Sequence, residues 1–290
     1  ITGTKSAGIN KVKLQWRKDA GAWTDITELT GLEGATAWSY NTWTIPDAIS
    51  NNVQVRATDT TDLLIGNPSA PESAGFKVRG KIEAVTNIAA GESLTVGSSK
   101  TITLTFTGTV TEVKLYYSTD NFATVTKTIA TVSMAVPKVA YTHPTAASGI
   151  HDYPWTVPDD LSPTVKIKVV PTLPVSEGFS AAALSNEFKI VGQFQSIQDP
   201  LNDNTWVVGN TTKIIKWRVK GGSMKNVKIT YKKTAASVEA TIVNSTPATS
   251  TAFDAPNYIY SGEYAWTQGV ADAISNDVRI RIYDADNSAV

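Results

Sequence analysis

The sequence contains no cysteine, and neither sign of charge is in excess. Its 290 residues include 26 lysines and arginines against 26 aspartates and glutamates, so the formal net charge is zero. Without cysteine the chain can form no disulfide, no thiolate zinc site and no iron–sulfur cluster. Balanced charge argues against a basic surface over the whole chain, of the kind that binds nucleic acid or acidic lipid. We therefore expect no nucleic-acid partner.

Histidine, charged residues and long apolar runs are also scarce. The sequence has two histidines, and 18% of its residues are charged while 41% are hydrophobic. This hydrophobic fraction is enough to build cores, which argues against intrinsic disorder. No apolar run approaches the roughly 18 residues of a spanning helix, so we expect no membrane span. The chain begins at Ile1 without a signal peptide, which favours a processed form or a part of a longer protein.

The most informative feature that is present is an internal repeat. Trp43, Trp155 and Trp266 each follow a tyrosine and precede a threonine, and they lie 112 and 111 positions apart. An alternating segment follows each tryptophan, at Val53–Ala57, Val165–Val169 and Val278–Ile282. A period of this length is too long for a solenoid repeat and is typical of tandem domains.

Alternation of apolar and polar residues dominates these copies. In Thr101–Thr107 the threonines fall on one face and Ile102, Leu104 and Phe106 on the other. A period of two indicates strands with one buried face. We therefore predict an all-β chain of three tandem immunoglobulin/fibronectin-III-like antiparallel β-sandwiches. The predicted domains, called modules from here on, span residues 1–81, 82–193 and 194–290.

Two landmarks carry a resemblance to a known family. One is the Tyr-x-Trp-Thr-x-Pro segment with the strand after it, and the other is a closing strand seen in Phe76–Val78 and Phe188–Ile190. Together they resemble the immunoglobulin-like extracellular domain of the Ser/Thr-rich GPI-anchored cell-wall protein family, and Trp206–Gly209 matches that family's opening segment. Similar domains occur in tandem in large bacterial surface proteins. The resemblance implies an extracellular location at the cell surface, and no activity.

The outer modules are expected to be incomplete. Only 11 residues precede Val12, whereas 31 separate Ile82 from the equivalent Val113, so the first module lacks opening strands. The third module lacks the closing phenylalanine strand, and the middle one is complete. Three explanations stay open: the chain is part of a longer array, neighbouring copies complete each other's sheets, or the first module is a shorter variant.

Residues suited to catalysis do not form a recognised pattern. Ser148, His151 and Asp152 lie close in sequence without a nucleophile elbow, and His143 and His151 have no metal-ligand spacing. The Asp159-Asp160 pair follows a proline in a predicted turn, where aspartate binds nearby backbone amides. We predict no enzyme and no catalytic residue.

Calcium is the one ion that the sequence suggests. Calcium takes six to eight oxygen ligands, which a domain junction or a strand end could supply. The candidate residues are Asp199, Asn202, Asp203, Asn204, Asp284, Asp286 and Asn287, with Asp59 and Asp62 in the first module. Aspartate and asparagine are also favoured in plain turns, and the sequence favours that explanation. No other cofactor is expected.

Exposed tryptophans are the candidates for contact with a ligand. Trp23 and Trp38 flank a loop present in the first module alone, whereas the repeated Trp43, Trp155 and Trp266 indicate core packing. A sugar ring stacked on the first pair is one expectation.

The function predicted from the sequence is structural. We expect a component of an extracellular surface assembly, most simply a surface-layer lattice protein that associates with itself or with further domains of its own chain, with cell-wall glycan as another partner. The alternatives are an adhesin or glycan-binding stalk, and accessory domains of a larger secreted enzyme.

Overall fold

The computed structural model describes residues 1–60, 70–134, 139–140, 148–173, 182–201 and 204–285. Over these ranges the chain forms 23 strands and one short 3-10 helix at Ala255–Asn257, and no α-helix. In the same part of the chain, no helix has the length and apolar character needed to cross a membrane. The predicted all-β class is confirmed.

In the part of the first module that the structure describes, six strands form two sheets. They are β1 (Thr2–Thr4), β2 (Val12–Lys18), β3 (Thr24–Leu29), β4 (Ala37–Ser39), β5 (Ser50–Asp59) and β6 (Phe76–Val78). β1 pairs with β4, and the other four form a sheet in the order β3-β2-β5-β6. Leu14 and Val53, both of the four-stranded sheet, are buried.

The described residues of the middle module form ten strands. They are β7 (Lys81–Thr86), β8 (Ser93–Thr95), β9 (Ser99–Thr107), β10 (Glu112–Ser118), β11 (Lys127–Ser133), β12 (Val139–Ala140), β13 (Ser148–Thr156), β14 (Ser162–Leu173), β15 (Ala183–Leu184) and β16 (Phe188–Val191). One sheet has the order β12-β13-β9-β7 and the other β11-β10-β14-β16-β8, with β15 paired to β14. β8 and β16 run parallel, and the other pairs of this module are antiparallel.

The third module forms seven strands over its described residues. They are β17 (Gln193–Asp199), β18 (Ile214–Lys220), β19 (Asn226–Lys232), β20 (Ala240–Pro247), β21 (Thr251–Asp254), β22 (Ile259–Ala265) and β23 (Arg279–Asp284). Their sheets have the orders β17-β18-β22-β21 and β20-β19-β23.

The three modules share one topology. In the middle module one sheet contains β7, β9, β12 and β13, and the other is built around β10, β14 and β16. This division of strands between two sheets is that of immunoglobulin sandwiches. The described first module has the inner pair β1-β4 of the first sheet, without the outer strands that β7 and β12 supply in the middle one. The described third module has no counterpart of β16.

Alternation explains why these segments are strands. In β9 the buried residues are Ile102, Leu104 and Phe106, and the threonines between them are half-buried. One face of the strand therefore contributes to the core, while the hydroxyl face is wet.

Each module forms its own sandwich. Every strand pairing of the described residues joins two strands of the same module, and β7 and β17 each begin one residue before a predicted boundary. Leu161 packs against the cores of both the middle and the third module. The chain is thus a row of immunoglobulin-like sandwiches whose ends touch.

Candidate functional site at the module joints

The repeated tryptophans lie in matching aromatic surroundings. Trp155 contacts Tyr117, with ring centroids 5.7 Å apart and planes at 49°, and the rings of Trp266 and Tyr231 lie 6.0 Å apart at 45°. Tyr117 and Tyr231 occupy equivalent positions in β10 and β19. This correspondence indicates that the repeated residues form the fold of each module.

A residue of the closing strand covers the tryptophan edge-on in two modules. Trp43 and Phe76 have centroids 6.5 Å apart at 90°, and Trp155 and Phe188 lie 6.1 Å apart at 83°. In the third module Trp206 contacts Trp266 instead, at 6.4 Å. Trp155 and Trp266 are buried as the sequence predicted, but Trp43 is only half-buried.

The aspartate that follows the first repeated tryptophan connects two modules. Asp47 accepts a hydrogen bond from the backbone N–H of Thr109 at 3.1 Å and another from the hydroxyl of Thr109. Thr109 lies in the turn between β9 and β10 of the next module. One carboxylate therefore satisfies a donor of a turn in a different sandwich.

The equivalent aspartate of the middle module makes the same connection. Asp159 accepts hydrogen bonds from the backbone N–H groups of Gly222 and Ser223 and from the Ser223 hydroxyl, the last two at 3.1 and 2.6 Å. The Leu161 N–H in turn donates to that hydroxyl at 3.3 Å. Ser223 corresponds to Thr109, since each lies four residues before the first buried valine of the following strand.

We call the contact made by Asp47 with Thr109, and the contact made by Asp159 with Ser223, the joints between modules. The backbones of neighbouring modules approach closely at both joints. Gly108 has a φ of +85°, and a Cβ placed on it would lie 3.1 Å from Ile49 and 3.3 Å from the Cα of Gly80. Gly221 has a φ of +106°, and its Cβ would lie 3.4 Å from the Cα of Gly192. Each joint thus combines an aspartate, an apolar residue and a glycine that permits contact.

This arrangement modifies the sequence interpretation of the aspartates. Asp159 does bind backbone amides, as predicted for a turn, but those amides belong to the next module. Asp160 binds elsewhere, to the Tyr117 hydroxyl and to Lys127 at 2.7 Å. Aspartate recurs at this position in two copies, and that recurrence is the sequence signal for the contact between modules. A turn within one module explains the same recurrence, so the sequence alone did not reveal the contact.

Burial and carboxylates shift the titration of two tyrosines near these turns. Burial raises the pKa of Tyr117 above its ordinary value, and the hydrogen-bonded Asp160 carboxylate raises it further. Burial also raises the pKa of Tyr260, together with the charge of Asp159 beside it. Both phenols therefore stay protonated and serve as donors over a wide pH range.

Of the sequence candidates for catalysis, the structure describes the side chains of His151 and Asp152. Asp152 accepts a hydrogen bond from Thr103 at 2.7 Å, and the adjacent His151 points to the opposite face of β13, as successive strand residues do. The Nδ1 atom of His151 is buried without a hydrogen-bond partner. His143 and the side chain of Ser148 lie outside the described residues.

The calcium candidates are only partly described. Asp199 ends β17 and Asp284 ends β23, in different sheets of the third module, whereas Asn202, Asp203 and Asp286 lie outside the described residues. Within the described ranges, no three histidines or carboxylates gather as a metal site would require. Calcium binding stays a hypothesis, which a thermal melt with calcium or chelator tests.

The two tryptophans expected to be exposed are half-buried. Trp23 lies beneath two guanidinium groups, since Arg17 and Arg56 each have Cζ 4.4 Å from its ring centroid. The ring of Trp38 covers Gly3, where an added Cβ would lie 2.5 Å away. Both rings have neighbours from their own module, and their role in ligand contact stays a prediction.

An aromatic recess lies elsewhere in the first module. It has a volume of about 350 Å³ and is lined by Trp16, Asp25, Ile26, Tyr40, Thr42, Trp43, Thr44 and Pro46. Trp16 occupies the position that Tyr117 has in the middle module, but it is half-buried. The repeat predicted core packing for Trp43, and no pattern in the sequence indicated this recess.

No family model and no curated protein matches the sequence. Among solved structures, the chain is similar to an ICAM-5 D1-D4 ectodomain fragment at 13% identity over 89% of this chain and 67% of that one, with a TM-score of 0.30. It is similar to Clostridium thermocellum CbhA fibronectin(III)-like modules at 12% over 63% and 77%, with a TM-score of 0.20, and to a marsupial T cell receptor at 6% over 98% and 94%, with a TM-score of 0.27. The fold assignment rests on the strand pairings above.

Proposed function

We propose that this chain is a structural component of an extracellular cell-surface assembly, of the surface-layer type. Modules held together at the joints would set the distances between the points at which the chain contacts its partners. The observation that carries the proposal is the repeated joint, in which Asp47 binds Thr109 and Asp159 binds Ser223. A chain that only linked independent domains would need no such contact.

The joints favour a fixed relation between neighbouring modules. Hydrogen bonds from neutral donors to a carboxylate are stronger than those between two neutral groups. Asp159 is half-buried and accepts three of them. Leu161 adds apolar contact across the same joint. The connections at Gly80 and Gly192 are short, which limits the movement of neighbouring modules relative to each other.

Composition supports close packing of copies. The zero net charge removes the long-range repulsion that keeps proteins apart in solution. We take the partners to be copies of this chain or further domains joined to it, with surface glycan as a possible second contact. The family resemblance and the row of sandwiches favour an extracellular location.

Assembly of the purified chain tests this proposal. Electron microscopy and sedimentation across protein concentration, salt and calcium are expected to show ordered multi-copy particles. Strict monomers under every condition would contradict a self-assembling structural role. As a variant, Asp47→Ala with Asp159→Ala is expected to reduce order within the particles, whereas Asp25→Ala, which removes a surface pair with Lys13, is the matched control.

A second function is favoured by the aromatic recess. Trp16, Tyr40 and Trp43 line the recess together with Asp25 and Thr42, and aromatic rings beside polar groups are a combination that can stack on and hydrogen-bond with a sugar ring. A glycan array probes it: binding that Trp43→Ala abolishes and Trp38→Ala retains would establish an adhesin role. Binding lost with Trp38→Ala alone would instead support the site expected from the sequence.

A further inference from the structure

The outward face of the sheet formed by β19, β20 and β23 gathers positive charge. Tyr231 and Ile280 pack against the core of the third module, so the residues that alternate with them in each strand point to solvent. The cations that this alternation places outward are Lys228, Lys232, Arg279 and Arg281. The chain as a whole has no net charge, so this concentration of cations is a local property of one face.

Two of these cations lie directly opposite each other. Lys232 pairs in register with Arg279 across β19 and β23, which places their Cβ atoms about 4.5–5.5 Å apart. Arg281 lies on the same face two residues farther along β23, at a distance of about 7 Å. Like charges at directly opposite positions destabilise a sheet. Folding of the third module therefore gains nothing from this arrangement, and a binding role would explain it.

The other modules do not oppose two cations at the equivalent position. In the middle module Lys166, which corresponds to Arg279, lies opposite Ser118. In the first module Arg17 lies opposite Gln54 and donates hydrogen bonds to it at 3.1 and 2.8 Å. The opposed pair of cations is thus a feature of the third module that the shared fold does not require.

One nearby carboxylate partly offsets the charge of Arg279. Asp277 accepts a hydrogen bond from the Nε of Arg279 at 2.9 Å and another from the backbone N–H of Ala235 at 3.2 Å. Because the contact uses Nε, the two terminal nitrogens of the guanidinium group are not the atoms that bind Asp277.

A second carboxylate lies among the outward residues. Glu239 accepts hydrogen bonds from the hydroxyls of Thr230 and Tyr283, and its Oε2 lies 3.6 Å from Arg281. Among the described residues, the ion pairs of this face are this one and the pair of Arg279 with Asp277, and neither includes Lys232. Two carboxylates therefore face four cations, which leaves an excess of positive charge.

A recess lies where the opposed cations meet. It has a volume of about 340 Å³ and is lined by Lys232, Ala235, Arg279, Ile280 and Arg281. Three of these five lining residues are cations, and neither Asp277 nor Glu239 is among them. A ligand in the recess therefore meets three positively charged side chains.

We propose that this face, with Lys232, Arg279 and Arg281 around the recess, binds an acidic polysaccharide, a sugar polymer that carries carboxylate or phosphate groups. Guanidinium groups match the geometry of both kinds of anion. The proposal rests on the proposed function, which gives surface glycan as a second contact, and it adds the site and the chemical class of that glycan.

A polymer is the occupant that the charge pattern fits. Lys228 continues the outward row of β19 beyond the recess, so cations recur along the face at intervals set by the strands. A polysaccharide with a charge on successive sugars contacts several of them at once, and contacts linked in one chain strengthen each other. A single small anion would meet the recess alone.

Binding of the full chain to three dextrans tests the proposal, because they share one sugar backbone and differ in charge. Biolayer interferometry is expected to show binding to carboxymethyl dextran, phosphorylated dextran or both, and none to neutral dextran. The preferred acidic form identifies the anion. Added sodium chloride is expected to weaken the binding, since salt screens exposed charges.

A pair of double variants locates the site. Lys232→Ser with Arg281→Gln is expected to weaken binding at least tenfold. Lys166→Gln with Lys168→Gln removes the same number of charges from the middle module and is expected to change it less than twofold. Lys232→Ser alone introduces the residue type of Ser118 and is expected to leave the third module at least as stable, because it removes the opposed charge.

Equal loss in the two double variants would mean diffuse attraction to the whole surface and overturns the proposal. Binding to poly-glutamate without binding to either acidic dextran indicates a protein partner and overturns it too. If neither acidic dextran binds while ordered particles still form, the proposed site is wrong and the structural function stands. Site-dependent binding by a strictly monomeric chain supports the site and contradicts self-assembly.

Discussion

At the scale of single residues, Trp155 shows how one side chain organises a module. Its ring lies between Tyr117 and Phe188, which come from different strands of the opposite sheet. The equivalent Trp43 is half-buried, and among the aromatic rings of the described residues it pairs with Phe76 alone. The same residue type in the same motif therefore contributes different amounts to stability.

This difference gives the first prediction. Trp155→Ala is expected to lower the free energy of unfolding of the middle module by about 3–5 kcal/mol, because it leaves a large cavity. Trp43→Ala is expected to cost the first module less than half as much, since part of its surface is already in water. Hydrogen exchange of β9 and β2 amides reports the two modules separately. Equal losses would contradict the difference in burial.

The second prediction concerns alkaline pH. The pKa of Tyr117 is raised above its ordinary 10.0 by burial and by Asp160, so the folded state holds this proton more tightly than the unfolded state does. The resulting stability is fully present below pH 10 and is lost as the pH rises further. Tyr117→Phe is expected to flatten this part of the stability curve.

Chemical denaturation between pH 8 and about 11 measures this effect, and Tyr40→Phe is the control for general alkaline effects. The prediction fails if Tyr117→Phe does not change how steeply the free energy of unfolding falls with pH in the alkaline range.

At the scale of elements, the turn between β9 and β10 is both a connection within a module and a contact between modules. Gly108 adopts a left-handed conformation there, and a Cβ placed on it would lie 3.1 Å from Ile49 and 3.3 Å from the Cα of Gly80. Gly91 has a similar φ of +71° but open space around it. A comparison of Gly91 with Gly108 therefore separates the energetic cost of a side chain in the left-handed conformation from the cost of a close contact.

The third prediction follows from that comparison. Gly91→Ala is expected to cost about 1 kcal/mol from the left-handed backbone. Gly108→Ala is expected to cost about 1–3 kcal/mol more, because its methyl group presses on Ile49 and on a backbone atom. It should also raise hydrogen exchange at Thr109. Thermal unfolding compares the two variants, and equal melting temperatures would show that the turn yields without strain.

At the scale of the whole molecule, two aspartate joints connect three sandwiches in series. Asp47 and Asp159 each bind a turn of the following module. The contacts are polar, small and at the surface, so they can be removed without damage to either core. This property makes the relation between modules open to direct measurement.

The fourth prediction tests that relation. Asp47→Ala with Asp159→Ala is expected to widen the distribution of end-to-end distances in small-angle scattering, while the melting temperature of each module changes little. Asp25→Ala is expected to leave the scattering curve as it was. An unchanged distribution in the double variant would mean that apolar contacts such as Leu161 fix the joints alone.

The sequence by itself determined the all-β class, the repeat and the strand faces, because a period of two and a recurring tryptophan motif are local properties. It also located Asp159 in a turn. It could not show which amides Asp159 binds, since these lie more than 60 residues away, nor that Trp16 and Trp43 border an open recess. The tertiary structure decided those points, because contact between separate sandwiches depends on how the turns meet in space.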